Sequence, residues 1–375
     1  MDFSWTADQQ ELYERALTFA RALPAPHDPT FPGPKWRQVS EFGLTGLCLP
    51  ERYGGLGFDA LTTARVGEAF GRGCEDTGLT FAAFAHLFAC AMPILEHGTE
   101  AQRERYLPAL ATGQRVGANA ITEAESGSDV YAMASRAVRE GDGYVLSGVK
   151  SYVSNGPGAD LFLVYAVTRP EHGYFGMSAF AVERETPGLR VGRPFQKMGL
   201  AGAPISSLYL EDCRVPESAR IGEEGQGAPI FQASMRWERA CLFAAYVGMM
   251  ERLIERSVEY ATSRKQFKKP IGRNQAISHR IADMKLRLES SRLLLYRACW
   301  QMDRGEDATL AIALSKLAIS EAAVQCGLDA IQIHGGMGYL ADTGIEQALR
   351  DAIPTTLFSG TSEMQRETIA RELGL

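Results

Sequence analysis

A chain of 375 residues exceeds what one hydrophobic core usually serves, so two or three packed subdomains are expected. Its 45% hydrophobic and 22% charged content is that of a folded globular protein, and a formal net charge of -6 with scattered basic residues argues against a nucleic-acid footprint or a membrane-seeking basic face. Seven cysteines (Cys48, Cys74, Cys90, Cys213, Cys241, Cys299, Cys326), odd in number, far apart and without a CxxC pair, argue against disulfides and zinc and fit a reducing cytoplasm.

The N-terminal stretch carries acids early and lacks a basic leader followed by an apolar run, unlike a signal peptide. No stretch reads as apolar for long enough to span a bilayer. From Asp2 to about Leu110 the period is helical: Thr6 precedes Asp8 and Gln9 like an N-cap, and Leu12, Ala16, Phe19 and Leu23 recur at helical spacing. Between about Gly117 and Cys213 the texture changes to short β-branched or aromatic runs, such as Tyr144-Val145-Leu146, Leu161 to Val167 and Leu208-Tyr209-Leu210, with a hairpin signal at Gly141-Asp142-Gly143. After Gly222 to Gly227 helical stripes return, one of Leu253, Ile254, Val258 and Ala261, another of Ile281, Met284, Leu288 and Leu295, with Arg287, Glu289 and Arg292 between the apolar positions of the second. Three units are therefore predicted: an N-terminal α-helical domain (1–116), a central β domain (117–225) and a C-terminal antiparallel helical bundle (226–375). No repeat or low-complexity tract interrupts them.

No GxGxxG, P-loop, HExxH or GxSxG signature is present, and the six histidines do not cluster, so metal and Ser-His catalysis have no support. What stands out is a set of small and hydroxylic segments at element boundaries. The first runs from Ala120 to Asp129 (Ala-Ile-Thr-Glu-Ala-Glu-Ser-Gly-Ser-Asp) and taken alone is an ordinary capped loop. It is followed in order by Lys150 to Asn155, Arg264-Lys265-Gln266-Phe267, Gln332 to Gly336, and Gly360 to Gln365.

This ordered series resembles the motifs of the acyl-CoA dehydrogenase superfamily, along nearly the whole chain. The resemblance implies an acyl-CoA dehydrogenase-like fold, with helical domain, β-barrel-like domain and four-helix bundle, and an FAD-dependent oxidation of an acyl thioester. Ala120, Ile121, Thr122, Gly127 and Ser128 would lie along the flavin ring, whose acceptance of hydride calls for hydrogen-bond donors. Tyr152, Val153 and Ser154 would cover the opposite face, with Tyr152 and Ser154 replacing the family's usual Trp and Thr. Arg264, Gln332, Gly335 and Gly336 would hold the ADP half of an FAD bound by a neighbouring subunit, which implies an oligomer, a homotetramer by analogy, and Gln266, Phe267 and Gln275 are further implied cofactor contacts. Thr361 and Glu363 complete the implied cofactor set. A helix-ending turn is the plain alternative for Gly335-Gly336.

The chain departs from the family at its C-terminal motif, where the usual Tyr-Glu-Gly-Thr is Phe358-Ser359-Gly360-Thr361. Ser359 cannot deprotonate a carbon acid, and removing a thioester α-proton calls for a carboxylate opposite the flavin. The subgroup containing isovaleryl-CoA dehydrogenase carries its glutamate on a C-terminal-domain helix just before an arginine, and Glu238-Arg239 stands at that place. The apolar residues that follow predict a buried carboxylate; an ordinary glutamate paired with Arg239 or Arg236 is the alternative.

The segments Ala82 to Pro93, Trp237 to Met250 and Thr356 to Gln365 look like the L-prolyl-carrier-protein dehydrogenases of pyrrole-forming natural product pathways. That similarity implies proline held as a thioester on the phosphopantetheine arm of a peptidyl carrier protein, oxidised twice to the pyrrole-2-carboxyl thioester, with Glu238 as base. Ser128, Arg239 and Ser359 are the implied substrate contacts, and Arg236 a docking contact for an acidic carrier protein. The competing readings are a short- or branched-chain acyl-CoA dehydrogenase, a flavin-dependent N-oxygenase, and a non-catalytic flavoprotein subunit whose only support is Ser359. An electron-transfer flavoprotein or oxygen would reoxidise the flavin.

Overall fold

Thr6 opens the first helix through a reciprocal cap: its hydroxyl accepts from the Gln9 amide at 3.2 Å, and the Gln9 side chain accepts from the Thr6 amide. The computed structural model describes residues 4–24 and 30–375, so the predicted start of the helical stretch at Asp2 lies outside the described residues. The N-terminal helices are α1 (Ala7–Ala22), α2 (Pro34–Phe42), α3 (Ala60–Gly73), α4 (Thr77–His86), α5 (Met92–His97) and α6 (Glu100–Ala111). On α1 the buried residues are Tyr13, Ala16, Leu17 and Ala20; the predicted Leu12, Phe19 and Leu23 flank this line, partly buried.

Helices α4 and α5 run together through a π-helical segment, Leu87–Ala91. The resulting helix Thr77–His97, with a mean hydropathy of 1.8, is long and apolar enough to cross a membrane, as is Thr309–His334 at 1.3. This corrects the expectation that no stretch qualifies. Their apolar windows are 94% and 61% buried within the protein itself, so the apolarity serves the core.

The sheet comprises β1 (Gly117–Ala120), β2 (Arg136–Glu140), β3 (Gly143–Ser154), β4 (Leu161–Val167), β5 (Met177–Glu183), β6 (Leu189–Val191), β7 (Ile205–Pro216) and β8 (Arg220–Ile221). Its order is β6-β7-β3-β2-β4-β5-β8, with β1 parallel to β4. Glu140 pairs with Gly143, so Gly141-Asp142 is the two-residue hairpin turn. Strands β4 and β5 are buried over both faces, which is why they read as continuous apolar runs.

The C-terminal part begins with α7 (Gly227–Trp237), passes through a second π-helical segment, Glu238–Leu242, and continues as α8 (Ala244–Ser263). A small hairpin, β9 (Lys265–Gln266) with β10 (Lys269–Pro270), leads to α9 (Gln275–Asp303), α10 (Thr309–His334), α11 (Gly336–Tyr339), α12 (Ile345–Ala352) and α13 (Ser362–Glu372). Leu253, Ile254 and Ala261 are buried as predicted, but Val258 is exposed, since it lies on the outer edge of the α8 stripe. Arg292 is no surface residue: it reaches from α9 to the buried Glu68 of α3 at 2.8 Å and also bonds Glu251 and Glu289. Helices α3 and α8 touch backbone to backbone, because a Cβ on Gly71 would fall 1.8 Å from the Ala245 carbonyl oxygen and one on Gly248 2.0 Å from that of Glu68. The N-terminal and C-terminal helices therefore share one core.

Candidate active site

Glu238 is carried to the interior by the junction of α7 and α8. Tyr165 of β4 packs edge-on against Phe231 of α7 at 5.9 Å, which docks α7 on the sheet, and the π-helical turn that follows places Glu238 with 7% of its surface exposed. π-Helical turns are energetically costly and concentrate at functional sites. Neither Arg236 nor Arg239 forms a hydrogen bond with this carboxylate. Arg236 instead pairs with Glu96 at 3.4 Å on the surface, so its cationic head is already partnered there.

The partner of Glu238 is Ser359, whose hydroxyl donates to the carboxylate Oε1. Ser359 and Gly360 both have left-handed backbones, with φ of 56° and 87°. Arg239 Nε donates to the Ser359 carbonyl at 2.7 Å, and Lys316 Nζ, buried in α10, donates to the carbonyls of Gly360 at 2.7 Å and Thr355 at 2.9 Å. Phe358 fills the space beneath, with ring centroids 4.9 Å from Phe81 and 5.5 Å from Phe243. Thr361 then caps α13 by accepting from the Met364 amide, leaving Glu363 exposed in its first turn.

Burial pushes the Glu238 carboxyl above its ordinary range, against the opposing pull of the Ser359 hydroxyl and the Arg239 and Lys316 charges. Burial and the neighbouring Arg239 charge push Lys316 down to about 7. Lys316 was missed from sequence, although a lone cation in the run Thr309 to Ile319, otherwise apolar, small or hydroxylic, is a signal for a buried, partnered lysine.

A second cluster joins two predicted motifs. The amide of Ser151 donates to the Thr122 carbonyl at 2.8 Å, and Lys150 Nζ donates to the Ile121 carbonyl at 3.2 Å and to Glu123 at 2.7 Å. Glu123 also accepts from the Ala134 and Ser135 amides. Burial raises the Glu123 carboxyl, but the Lys150 hydrogen bond and charge outweigh it and bring it to about 2, while burial lowers Lys150 to about 8. The buried pair is thus ionised at neutral pH. Around it Ala120, Ile121 and Val153 are buried, Thr122 and Ser154 are half-buried, and Gly127 and Ser128 are exposed. Tyr152, left-handed at φ 57°, presents a 61% exposed ring beside the exposed Phe195, centroids 6.0 Å apart. Two neighbouring open aromatic faces next to backbone at Thr122 suit a flat heteroaromatic ring.

The remaining predicted residues lie elsewhere. Arg264, Gln266, Phe267, Gln275, Gln332, Gly335 and Gly336 are all exposed. The end of α8 and the end of α10 meet where Tyr260 stacks on His334 at 4.6 Å. Eighteen residues of helix separate His334 from Lys316, about 27 Å at the usual rise. A Cβ at Gly335 or Gly336 would meet no atom within 4 Å, and Gly335 has φ 60°, so the backbone there is open to close approach. The β9–β10 hairpin that presents Phe267, 90% exposed and left-handed, was not foreseen.

Models of the acyl-CoA dehydrogenase N-terminal, middle and C-terminal domains match residues 6–114, 118–213 and 225–374. The chain is 56% identical over 350 residues to the L-prolyl-[peptidyl-carrier protein] dehydrogenase of Pseudomonas fluorescens, covering 93% of this chain and 92% of that protein. Among solved structures it resembles PigA with FAD and proline (TM-score 0.96, 44% identity, 100% of both chains). It also resembles the prolyl acyl carrier protein oxidase AnaB (TM-score 0.96, 43% identity, 99% of this chain and 100% of that one). The chain belongs to the acyl-CoA dehydrogenase family.

Proposed function

We propose that the protein is an FAD-dependent dehydrogenase that converts an L-prolyl thioester, borne on the phosphopantetheine arm of a peptidyl carrier protein, to the pyrrole-2-carboxyl thioester. The observation that carries the reading is the buried Glu238 carboxylate, held by a serine at the position where the family's usual motif has its glutamate. The L-prolyl substrate in the name of the 56% identical relative, and the proline in the PigA structure, support the choice of acyl group.

FAD supplies a two-electron acceptor, at flavin N5, for the hydride that leaves Cβ. Thr122, with the backbone of Ala120, Ile121, Gly127 and Ser128, would line one side of the ring, and Tyr152, Val153 and Ser154 would line the other. Glu238 takes the proton from Cα of the prolyl group, and Arg239, with Lys316 behind the turn, counters the negative charge of the carboxylate before transfer. Ser128 contacts the thioester arm, Arg239 is a further substrate contact, and Ser359 leaves room for the five-membered ring where a glutamate would intrude. One round removes two hydrogens and gives a pyrroline; a second gives the aromatic pyrrole. Reoxidation requires an external acceptor, either oxygen or an electron-transfer flavoprotein, and oxygen uptake during turnover separates the two.

The open Gly335-Gly336 backbone, far along the helix from Lys316, supports an ADP site that serves the neighbouring subunit's flavin, and hence an oligomer; a homotetramer arranged as a dimer of dimers is proposed by analogy with the family. Free buried thiols at all seven cysteines fit a cytoplasmic enzyme. Intact-mass analysis of a prolyl-loaded carrier protein tests the substrate: loss of four hydrogens supports the proposal. An unchanged mass together with turnover of isovaleryl-CoA reassigns the enzyme to branched-chain acyl-CoA substrates.

A further inference from the structure

We infer that Ser359 is a positioning residue whose hydroxyl, aimed by a turn tied down through its own carbonyls, holds the Glu238 carboxylate in the orientation needed to reach substrate Cα. This rests on Glu238 being the base. Three elements fix the turn. Arg239 of the π-helical segment grips the Ser359 carbonyl, Lys316 of α10 grips the Gly360 carbonyl, and Gln365 of α13 donates to the Gly360 carbonyl at 3.2 Å. A serine with φ 56° is costly for an L-residue, and it persists where surrounding donors over-determine the backbone. Gly360 cannot be replaced cheaply either, because its φ of 87° is one that residues with a Cβ rarely adopt.

With both carbonyls committed, the side-chain hydroxyl of Ser359 is held facing Glu238, to which it donates. The charged groups facing Glu238 are Arg239 on its own segment and Lys316 on α10; Tyr165 on β4 is held neutral by burial, and Glu363 on α13 acts on Lys316. Ser359, and none of these four, hydrogen-bonds the carboxylate directly. A donor to the ionised form favours that form. The serine therefore does more than vacate space: it sets the rotamer and the readiness of the relocated base.

The test is an infrared titration of the FAD-loaded protein, with the Glu238 carboxyl band identified by its absence in Glu238→Gln. Removing one hydrogen bond to a charge in Ser359→Ala is expected to raise the titration midpoint by about one pH unit. Ser359→Thr restores it. Ser359→Cys, nearly equal in size with a weaker donor, moves the midpoint in the same direction and covers the case in which alanine loosens the turn. The acid limb of kcat/KM follows the same order, with a fall of about tenfold for alanine near that limb. Coincident midpoints in wild type, Ser359→Ala and Ser359→Cys overturn the inference. Because the titration needs no substrate, failure of the prolyl assay in wild type sinks the substrate assignment and not this result.

Discussion

A glutamate that takes a proton from carbon must be ionised when substrate arrives, yet burial opposes ionisation of Glu238. Its raised carboxyl pKa has a definite sign in kinetics: the active form is the deprotonated one, so kcat/KM falls as pH drops through a value above the ordinary glutamate range of about 4.3. A pH profile whose acid limb lies at or below that range contradicts the assigned environment. Position 238 was legible because a lone acid before arginine precedes an apolar run, Ala240 to Met250, in which a solvated carboxylate has no place. The bond from Ser359 was not legible. It depends on two consecutive left-handed residues and on carbonyl grips from Arg239 and Lys316, which are brought together from positions far apart in the chain.

Elements hold the region proposed to face the flavin by a different device, the buried pair Lys150–Glu123, which staples β3 to the segment after β1. Lys150→Met leaves Glu123 buried without its cation and is expected to cost about 3–5 kcal/mol. The result is a lower Tm and protein that loses FAD on gel filtration; unchanged melting and full flavin content contradict the staple. The boundaries of β4 at Leu161 and Val167 were readable from one apolar run between turn residues, and the hairpin at Gly141-Asp142 from its glycines. The two π-helical segments and the β9–β10 hairpin were not. A helical hydrophobic period looks the same on either side of a one-residue bulge, and two strands of two residues each, Lys265-Gln266 and Lys269-Pro270, carry no strand pattern.

At the scale of the whole molecule, the order of helices, sheet and helices followed from the change of period alone. The shared core did not, since it turns on glycines at 71 and 248 that let α3 and α8 approach to backbone contact. Leu286 and Leu293 sit two turns apart on α9 with 67% and 49% of their surfaces exposed, an apolar stripe suited to the proposed subunit contact. Leu286→Glu with Leu293→Glu is expected to yield smaller species in sedimentation and to release FAD together with assembly; a double variant that keeps the wild-type mass and flavin argues against that face. The proposed activity requires that Glu238 take over the role that Ser359 cannot perform. The most direct measurement is intact-mass analysis of prolyl-loaded carrier protein incubated with FAD-loaded Glu238→Gln beside wild type. Loss of four hydrogens is expected with wild type, and a rate at least about a hundredfold lower with the variant, flavin still bound; pyrrole formed by Glu238→Gln at the wild-type rate would contradict the role of Glu238 as base.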